Sequence, residues 1–428
     1  MTTTSDGDLD TDVLVIGGGP AGLMLTLLLL RSGVRVVLVE KSTGWDRAYR
    51  GEILQPGGQQ LLDELGVLTP ARARGACGLR GFQLVAGRRT LLDVDYRRLA
   101  GPYRELIAMP QRHLLESLED ACTGLPGFTS LPGHRIKALV EAGTTVRGAV
   151  VTDGSGTRRI SAAVTVGADG RYSKTRSLAG IAAGRTEDFR HDILWFKLHA
   201  PGQHTGYVRV RRGDGATVLI HDSYPDRLQI GWAVPHRSWP RLAAQGVEPV
   251  RAALAEALPE YAALIDEQIR ALADLTLLDV FAARAGTWCR DGLVLVGDAA
   301  HTHSPLGAQG INLALQDAAV LHPILVSALA ANDTGRERLA AFEAARGPAV
   351  ATVMAMQRMQ AKGMFEAGSA FSDALRAGLA GLIGRSPIGA RITTRVAYGR
   401  TPVAVRDDLL RTPVGRTPAA GGTPTRKG

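Results

Sequence analysis

Cysteine is scarce in this chain. Its 3 cysteines among 428 residues, Cys77, Cys122 and Cys289, are odd in number, widely spaced and without metal-ligand spacing. The pattern argues against a disulfide framework and gives no metal site, so a reducing, cytoplasmic setting is expected. Long apolar runs are scarce too. The longest, Leu23–Leu30, is interrupted by Thr26 and ends at Arg31, which is too short for a bilayer and suits a buried helix. Met1–Asp12 is polar and acidic and lacks the apolar stretch of a signal peptide, so no membrane insertion is expected. Aromatic residues are only 5% of the sequence, and no basic–aromatic pattern accompanies the net charge of +9. Arginine is spread along the whole chain, which weighs against nucleic acid as a partner and suits anionic cofactors equally well. No period of repeat-protein type is present.

The chain does have a 45% hydrophobic content, enough for a full core in one large or two interlocked domains. Asp12-Val13-Leu14-Val15-Ile16 reads as a buried parallel strand. It feeds Gly17-Gly18-Gly19-Pro20-Ala21-Gly22, which has G-x-G-x-x-G spacing and opens a helix over Leu23–Arg31. Arg35–Val39 is a second strand, ending in Glu40 and Lys41. Gly17 permits the tight turn, Gly19 lets a pyrophosphate approach the backbone, and Gly22 packs helix on strand. Glu40 can accept the ribose hydroxyls of an adenosine. Strand, motif, helix, strand and acid in that order point to a dinucleotide, either FAD or NAD. Arg50 is placed to return to the pyrophosphate. Gln111 and Arg112 begin a helix over Pro110–Leu118, where they can touch a cofactor.

Two later stretches repeat the strand-then-acid pattern. Ala163–Ala168 is a buried strand delivering Asp169-Gly170 at its carboxyl end, where open α/β sheets bind ligands; alone, the pair is an ordinary turn. Leu293–Val296 runs into Gly297-Asp298, then a Pro/Gly-rich loop, Ser304–Asn312, and a helix beginning near Ile311. Between them the character changes. Leu194–His199, Tyr207–Val210, Thr217–His221 and Arg227–Val234 alternate with period two, as in an antiparallel sheet, and Ala252–Leu258 and Tyr261–Leu272 read as helices. This insert is the natural substrate domain. Its pocket candidates are Trp195, Lys197, His199, Tyr207, His221, Tyr224 and Trp232, of which His221, Tyr224 and Trp232 are carried forward, with no catalytic residue assigned. Ala314–Ala331 and Leu339–Met364 read as further helices, the second with a break or kink at Gly347-Pro348. Beyond Arg400 the Thr-, Pro- and Gly-rich tail, in which Arg-Thr-Pro recurs, is expected to be disordered.

Together the glycine turn with its acid, Asp169-Gly170 and Gly297-Asp298 resemble the para-hydroxybenzoate hydroxylase family, the group A FAD-dependent aromatic monooxygenases. The resemblance covers residues 10–350. It implies an α/β fold: a Rossmann-like FAD-binding domain of the GR2 type, an inserted antiparallel-sheet substrate domain and C-terminal helices. The corresponding division is 1–182, with 70–105 joining the substrate sheet, then 183–284, 285–350, 351–408 and a tail at 409–428. Carried over, the family implies that Gly17, Gly19, Pro20, Ala21, Gly22, Glu40 and Lys41 hold the ADP half of FAD. Arg50 and Gln111 or Arg112 would touch the pyrophosphate and ribityl region, and Asp169 and Gly170 would serve FAD and pyridine nucleotide. Gly297 and Asp298 would hold the ribityl chain. Pro305, Gly307, Gln309, Gly310, Ile311 and Asn312 would lie against the isoalloxazine.

The activity so implied is hydroxylation or epoxidation of an aromatic or polycyclic metabolite through a flavin 4a-hydroperoxide, within secondary metabolism. FAD is the resident cofactor and NAD(P)H a transient reductant, consistent with the lack of a second G-x-G-x-x-G. The protein would be a monomer or homodimer. Other readings stay open: a halogenase, a reductase, or a flavin binder without turnover. Gly231–Pro235 faintly resembles the halogenase Trp-x-Trp-x-Ile-Pro motif, but Ile230 stands where the first Trp belongs.

Overall fold

Strand Leu9–Ile16 is the axis of an eight-stranded sheet. It pairs in parallel with Thr157–Gly167 on one side and Val36–Glu40 on the other. Phe128–Pro132 extends the parallel arrangement beyond Val36–Glu40, and Leu293–Leu295 extends it beyond Thr157–Gly167. The computed structural model describes residues 7–45, 51–87, 89–186, 189–213, 216–365 and 386–411. The near-continuous apolar character of these strands has a direct cause, because both faces are covered. Val13, Val15, Leu38, Val164 and Val166 face a helical layer that includes Pro20–Arg31, Gln111–Cys122 and Gly310–Ala330. Their neighbours Leu14, Ile16, Val37 and Val39 face the meander strands Arg135–Ala142 and Thr145–Thr152, through Ile136, Ala149 and Val151.

Register brings the carboxyl ends of the parallel strands level. Ile16 is opposite Gly167 and Val39, and Gly167 is opposite Leu295. Each motif found in the sequence therefore begins at the same edge of the sheet.

The second sheet has seven strands, in the order Thr276–Leu278, His191–His199, Arg227–Pro235, Thr217–Ser223, Val208–Arg212, Gly81–Ala86, Arg89–Asp95. Gly81–Ala86 joins it through a parallel pairing with Val208–Arg212, so an early segment of the chain lies in the inserted sheet. Period two sorts its side chains. Phe196, Leu198, Val218, Ile220, Leu228 and Ile230 pack on helices Val247–Ala257 and Ala262–Gln268. Trp195, Lys197, Leu219, His221 and Gln229 take the other face.

Two expectations change. The helix Arg336–Phe365 runs unbroken through Gly347-Pro348. Leu339, Phe342 and Val350 are buried along it, and Arg346 is bonded to Asp317 and Gln316, so packing carries the helix past a lost backbone donor. Residues 401–411 are docked: Val403, Val405 and Leu410 pack on the main core, Val405 N donates to Glu64 Oε2 (2.8 Å), and Arg411 N donates to the Arg31 carbonyl (2.7 Å). The tail at 412–428 lies outside the described residues. The helix Gly310–Ala330 belongs to a stretch long and apolar enough to cross a membrane by composition. It packs here against Pro20–Arg31 and Arg336–Phe365, and it buries Gln316, Asp317 and His322.

His322 joins the two central helices, its Nε2 lying 2.7 Å from Ser32 Oγ. Burial, assisted by Arg406, lowers its pKa to about 4 from the ordinary 6.5. Between those values the unfolded chain binds the proton and the folded chain does not, so stability present above pH 6.5 is lost as pH falls toward 4. That is worth up to about 3 kcal/mol at the lower end. Denaturant titrations across that window should show the loss, and His322→Gln, which cannot titrate, should flatten it. An unchanged pH slope in the variant would assign the acid sensitivity elsewhere.

Candidate active site

The glycines of the first turn are there for different physical reasons. Gly17 has φ +108°, and a Cβ there would lie 2.5 Å from the Ala168 carbonyl oxygen, at the end of the adjacent strand. A methyl on Gly22 would run into the Gly17 carbonyl oxygen, so the helix can sit on the turn only without one. Gly19 has open space where a Cβ would be. Backbone can therefore be approached at Gly19, at the N-terminus of a helix with no acidic residue in its first turn. Glu40 is buried at the end of its strand, with Oε2 accepting from Gly18 N (2.8 Å) and Oε1 from Ser42 N (2.9 Å). Trp45 covers this corner: a Cβ on Gly18 would lie 2.7 Å from its ring. Lys41 is exposed beside it.

Asp169 organises its own loop. Its carboxylate accepts from Ser173 Oγ and from Thr175 N and Oγ1 (both 2.9 Å), and Ser173 in turn caps the helix Lys174–Leu178. Gly170 has φ +83°, which allows the tight turn. The next residue, Arg171, places Nη2 3.7 Å from Asp298 Oδ2, so this loop reaches the third motif.

Gly297 and Asp298 form the centre. A Cβ on Gly297 would touch Ala21 at 3.5 Å and Ala314 at 3.9 Å, so this turn lies between the starts of the first helix and of Gly310–Ala330. Its backbone is fixed from beneath. Gly297 N donates to Asp317 Oδ2 (3.1 Å), which also accepts from His301 Nε2 (2.6 Å), while Arg346 Nε donates to Asp317 Oδ1 (2.7 Å). Burial alone would raise the Asp317 pKa, but His301 and Arg346 outweigh it and hold it at about 2. Asp298 itself is 31% exposed, and among the described residues no hydrogen bond reaches its carboxylate. Its neighbours are Arg171 and His303, the latter with Nε2 at 3.8 Å from Oδ1. Burial lowers the His303 pKa, and its Nδ1 donates to the Ser304 carbonyl (3.1 Å).

The Pro305–Asn312 loop faces this point from the far side. Gln55 and Gln309 each donate through Nε2 to the Gly307 carbonyl, at 2.9 and 3.2 Å, and Gln309 also donates to the Val396 carbonyl. Gly307 has φ +72° and Ala308 φ +51°, the latter a conformation that glycine adopts more cheaply. Gly310, Ile311 and Asn312 start a 21-residue helix, again with no acid in its first turn. Asn312 Oδ1 is buried and without a partner.

Other expected residues scatter. Gln111 reaches the Gly51 carbonyl through Nε2 (3.4 Å), and Arg112 is exposed on the same turn. Arg50 lies outside the described residues. Trp232 must be corrected: it packs with the outer helices of the sheet domain, away from the cofactor side. Tyr224 is also displaced, set against Gly75 and edge-on to His113 (5.9 Å). His221 does face inward. Its Nδ1 donates to the Asp222 carbonyl (2.9 Å), and burial lowers its pKa. Beside it, Glu52 accepts from Lys197 Nζ (2.5 Å) and Ser223 Oγ (2.8 Å).

The levelled strand ends thus assemble an open backbone approach at Gly19, two helix N-termini free of acidic residues, and one carboxylate with acceptor capacity to spare. That set fits a dinucleotide with a polyol: pyrophosphate at the amides, hydroxyls at Asp298. Residues 10–357 match the family described as FAD binding domain. The chain is a FAD-dependent aromatic monooxygenase. It belongs to the para-hydroxybenzoate hydroxylase-like family. The monooxygenase is 50% identical over 400 residues to a 6-methylpretetramide 4-monooxygenase of Streptomyces rimosus, covering 94% of this chain and 95% of that one. It is 32% identical over 365 residues to a 12-dehydrotetracycline 5-monooxygenase/anhydrotetracycline 6-monooxygenase of Streptomyces rimosus subsp. rimosus, covering 82% and 69%. Its fold is shared by p-nitrophenol 4-monooxygenase PnpA from Pseudomonas putida (TM-score 0.76, 19% identity, 92% of this chain and 100% of that one).

Sequence reasoning passed over Gln55, Glu52, His303 and Asp317. Asp317 had a signal, an acid inside an otherwise apolar helix, which needs a buried partner. In the monooxygenase, Asp298→Ala should fold and lose FAD affinity about ten- to a hundredfold, the worth of hydrogen bonds to a charged acceptor. Flavin absorbance per protein after gel filtration measures this. Full flavin retention would remove Asp298 from the cofactor site.

Proposed function

We propose that this monooxygenase hydroxylates a fused polycyclic phenol of the pretetramide type during secondary-metabolite biosynthesis, with NAD(P)H as reductant. The observation that carries the reading is the 50% identity to a 6-methylpretetramide 4-monooxygenase over nearly the whole of both chains, which includes the sheet facing the cofactor site. FAD, when bound, supplies electron acceptance from NAD(P)H and activation of dioxygen. The chain's own residues bind and orient. Gly17, Gly19, Pro20, Ala21, Gly22, Glu40 and Lys41 would hold the ADP half. Asp298, pinned through Gly297 by Asp317, would take the ribityl hydroxyls. The amides at the start of Gly310–Ala330 would stabilise negative charge on the reduced ring.

The inserted sheet closes the other side. Trp195, with Leu219 partly buried beside it, packs in one cluster with Leu306, so water is excluded where the Pro305–Asn312 loop meets the sheet. Asp169 and Gly170, through the loop that carries Arg171, belong to this cofactor reading too. A halogenase reading loses its one sequence feature, because Trp232 lies among the outer helices. We further propose a cytoplasmic monomer or homodimer.

Anaerobic stopped-flow reduction by NADPH and by NADH, with and without fused polyphenols, tests the reading. Reduction accelerated about tenfold or more by a tetracyclic phenol, and little by single-ring phenols, is expected. Bound flavin that neither nucleotide reduces, with any phenol present, would overturn it.

A further inference from the structure

The inward face of the seven-stranded sheet is ordered in rows. Leu219, Gly231 and Trp195 are directly opposite one another across three strands, as are His221, Gln229 and Lys197 in the row two residues further along. The first row is apolar and abuts Leu306 of the cofactor loop. The second is polar and lies about 7 Å further along the strands.

That polar row is unusual in its chemistry. Lys197 is held by Glu52, yet the two are unequally enclosed: the lysine side chain is 27% exposed and the glutamate 7%. Ser223 Oγ fills the second Glu52 oxygen (2.8 Å), so Glu52 is committed to the protein while the ammonium keeps donors to spare. His221 has its tautomer fixed. Because the Asp222 carbonyl can only accept, Nδ1 carries the hydrogen and Nε2 presents a lone pair. Between them Gln229, 1% exposed, has an Oε1 with no partner. A buried ion pair and an unpaired buried amide oxygen add little stability that apolar residues would not supply. Their arrangement suits a ligand that both donates and accepts.

We infer that the His221–Gln229–Lys197 row, with Ser223 and Glu52 behind it, is the recognition wall for an acidic hydroxyl of the substrate. Its hydrogen bonds to His221 Nε2 and its oxygen accepts from Lys197. Glu52 is a positioning residue that fixes the ammonium. This rests on the reading of the site as one for a polycyclic phenol, and it specifies how that phenol is read: by an acidic oxygen on the sheet side, with the apolar row beneath the fused rings.

The test uses FAD-loaded enzyme and two probes, 1,8-dihydroxyanthraquinone and its dimethyl ether, titrated by flavin fluorescence. The wild type should bind the dihydroxy probe about tenfold tighter or better, the share expected of a charge-assisted hydrogen bond. Lys197→Met should bring the two probes within about twofold, and Lys197→Arg should keep the preference. Lys197→Met leaves Glu52 charged and unpaired and can fail to fold, so Lys197→Met/Glu52→Gln, which removes both charges, is the decisive variant. Equal binding of both probes by the wild type, or an unaltered preference in the double variant, would make the ion pair a strut. Failure to bind the dihydroxy probe while a tetracyclic phenol still accelerates reduction would overturn the wall alone. Failure of both would overturn the functional reading as well.

Discussion

One buried carboxylate, Asp317, is the interaction on which the site depends. It receives the backbone amide of Gly297, the ring of His301 and the guanidinium of Arg346, and so connects a strand end, a loop and two long helices at one point. Such a cluster is a poor source of net stability, since desolvating the charges offsets most of their attraction. Its effect is positional. Gly297 is tied from below, and the helix Gly310–Ala330, which carries that carboxylate about two turns in, is fixed to the turn that bears Asp298. Removing Asp317 or Arg346 alone would leave the other charged in a dry interior, at a cost of about 3–5 kcal/mol. The arrangement is therefore all or nothing.

Close backbone approach is the second constraint, and it explains why the dinucleotide motif was legible. Gly17 and Gly22 are excluded from carrying a side chain by particular carbonyl oxygens, so their spacing is written into the sequence by steric necessity. The parallel strands were legible for a related reason: being covered on both faces, they read as uninterrupted apolar runs. The docking of residues 401–411 was not legible, because the few apolar residues of this short stretch are too unevenly spaced to mark a helix or strand. Their role is set by the helix surfaces they meet. Nor was the continuity of the Arg336–Phe365 helix, since local propensity at Pro348 is overruled by the packing of Phe342 and Arg346 before it and of Val350 after it.

The sheet domain shows a sharper limit. Period two told which residues share a face, but nothing local tells which face looks toward the cofactor, and a shift of one residue exchanges the two. Trp232 was a reasonable pocket candidate on composition and stands on the wrong side. Trp195 and Lys197, of opposite parity, stand on the inner one. The Glu52–Lys197 pair joins residues 145 apart, and its partners become visible only once the Gly81–Ala86 strand has been seen to pair with Val208–Arg212.

That cross-connection bears on how specificity is divided. Solved proteins that share this fold at 16–24% identity include a p-nitrophenol monooxygenase, an anhydrotetracycline hydroxylase and a brominase. These proteins have the fold alone in common with this chain; under the function proposed here, its selectivity lies where the sheet faces the loop. In this chain the segment carrying Glu52 continues directly into Gln55, which donates to the Gly307 carbonyl on the opposite wall, while Glu52 holds Lys197. A short piece of backbone thus sets both the height of the cofactor loop and the reach of the sheet's cation. A change in either wall is felt by the other through four residues of chain rather than through the core.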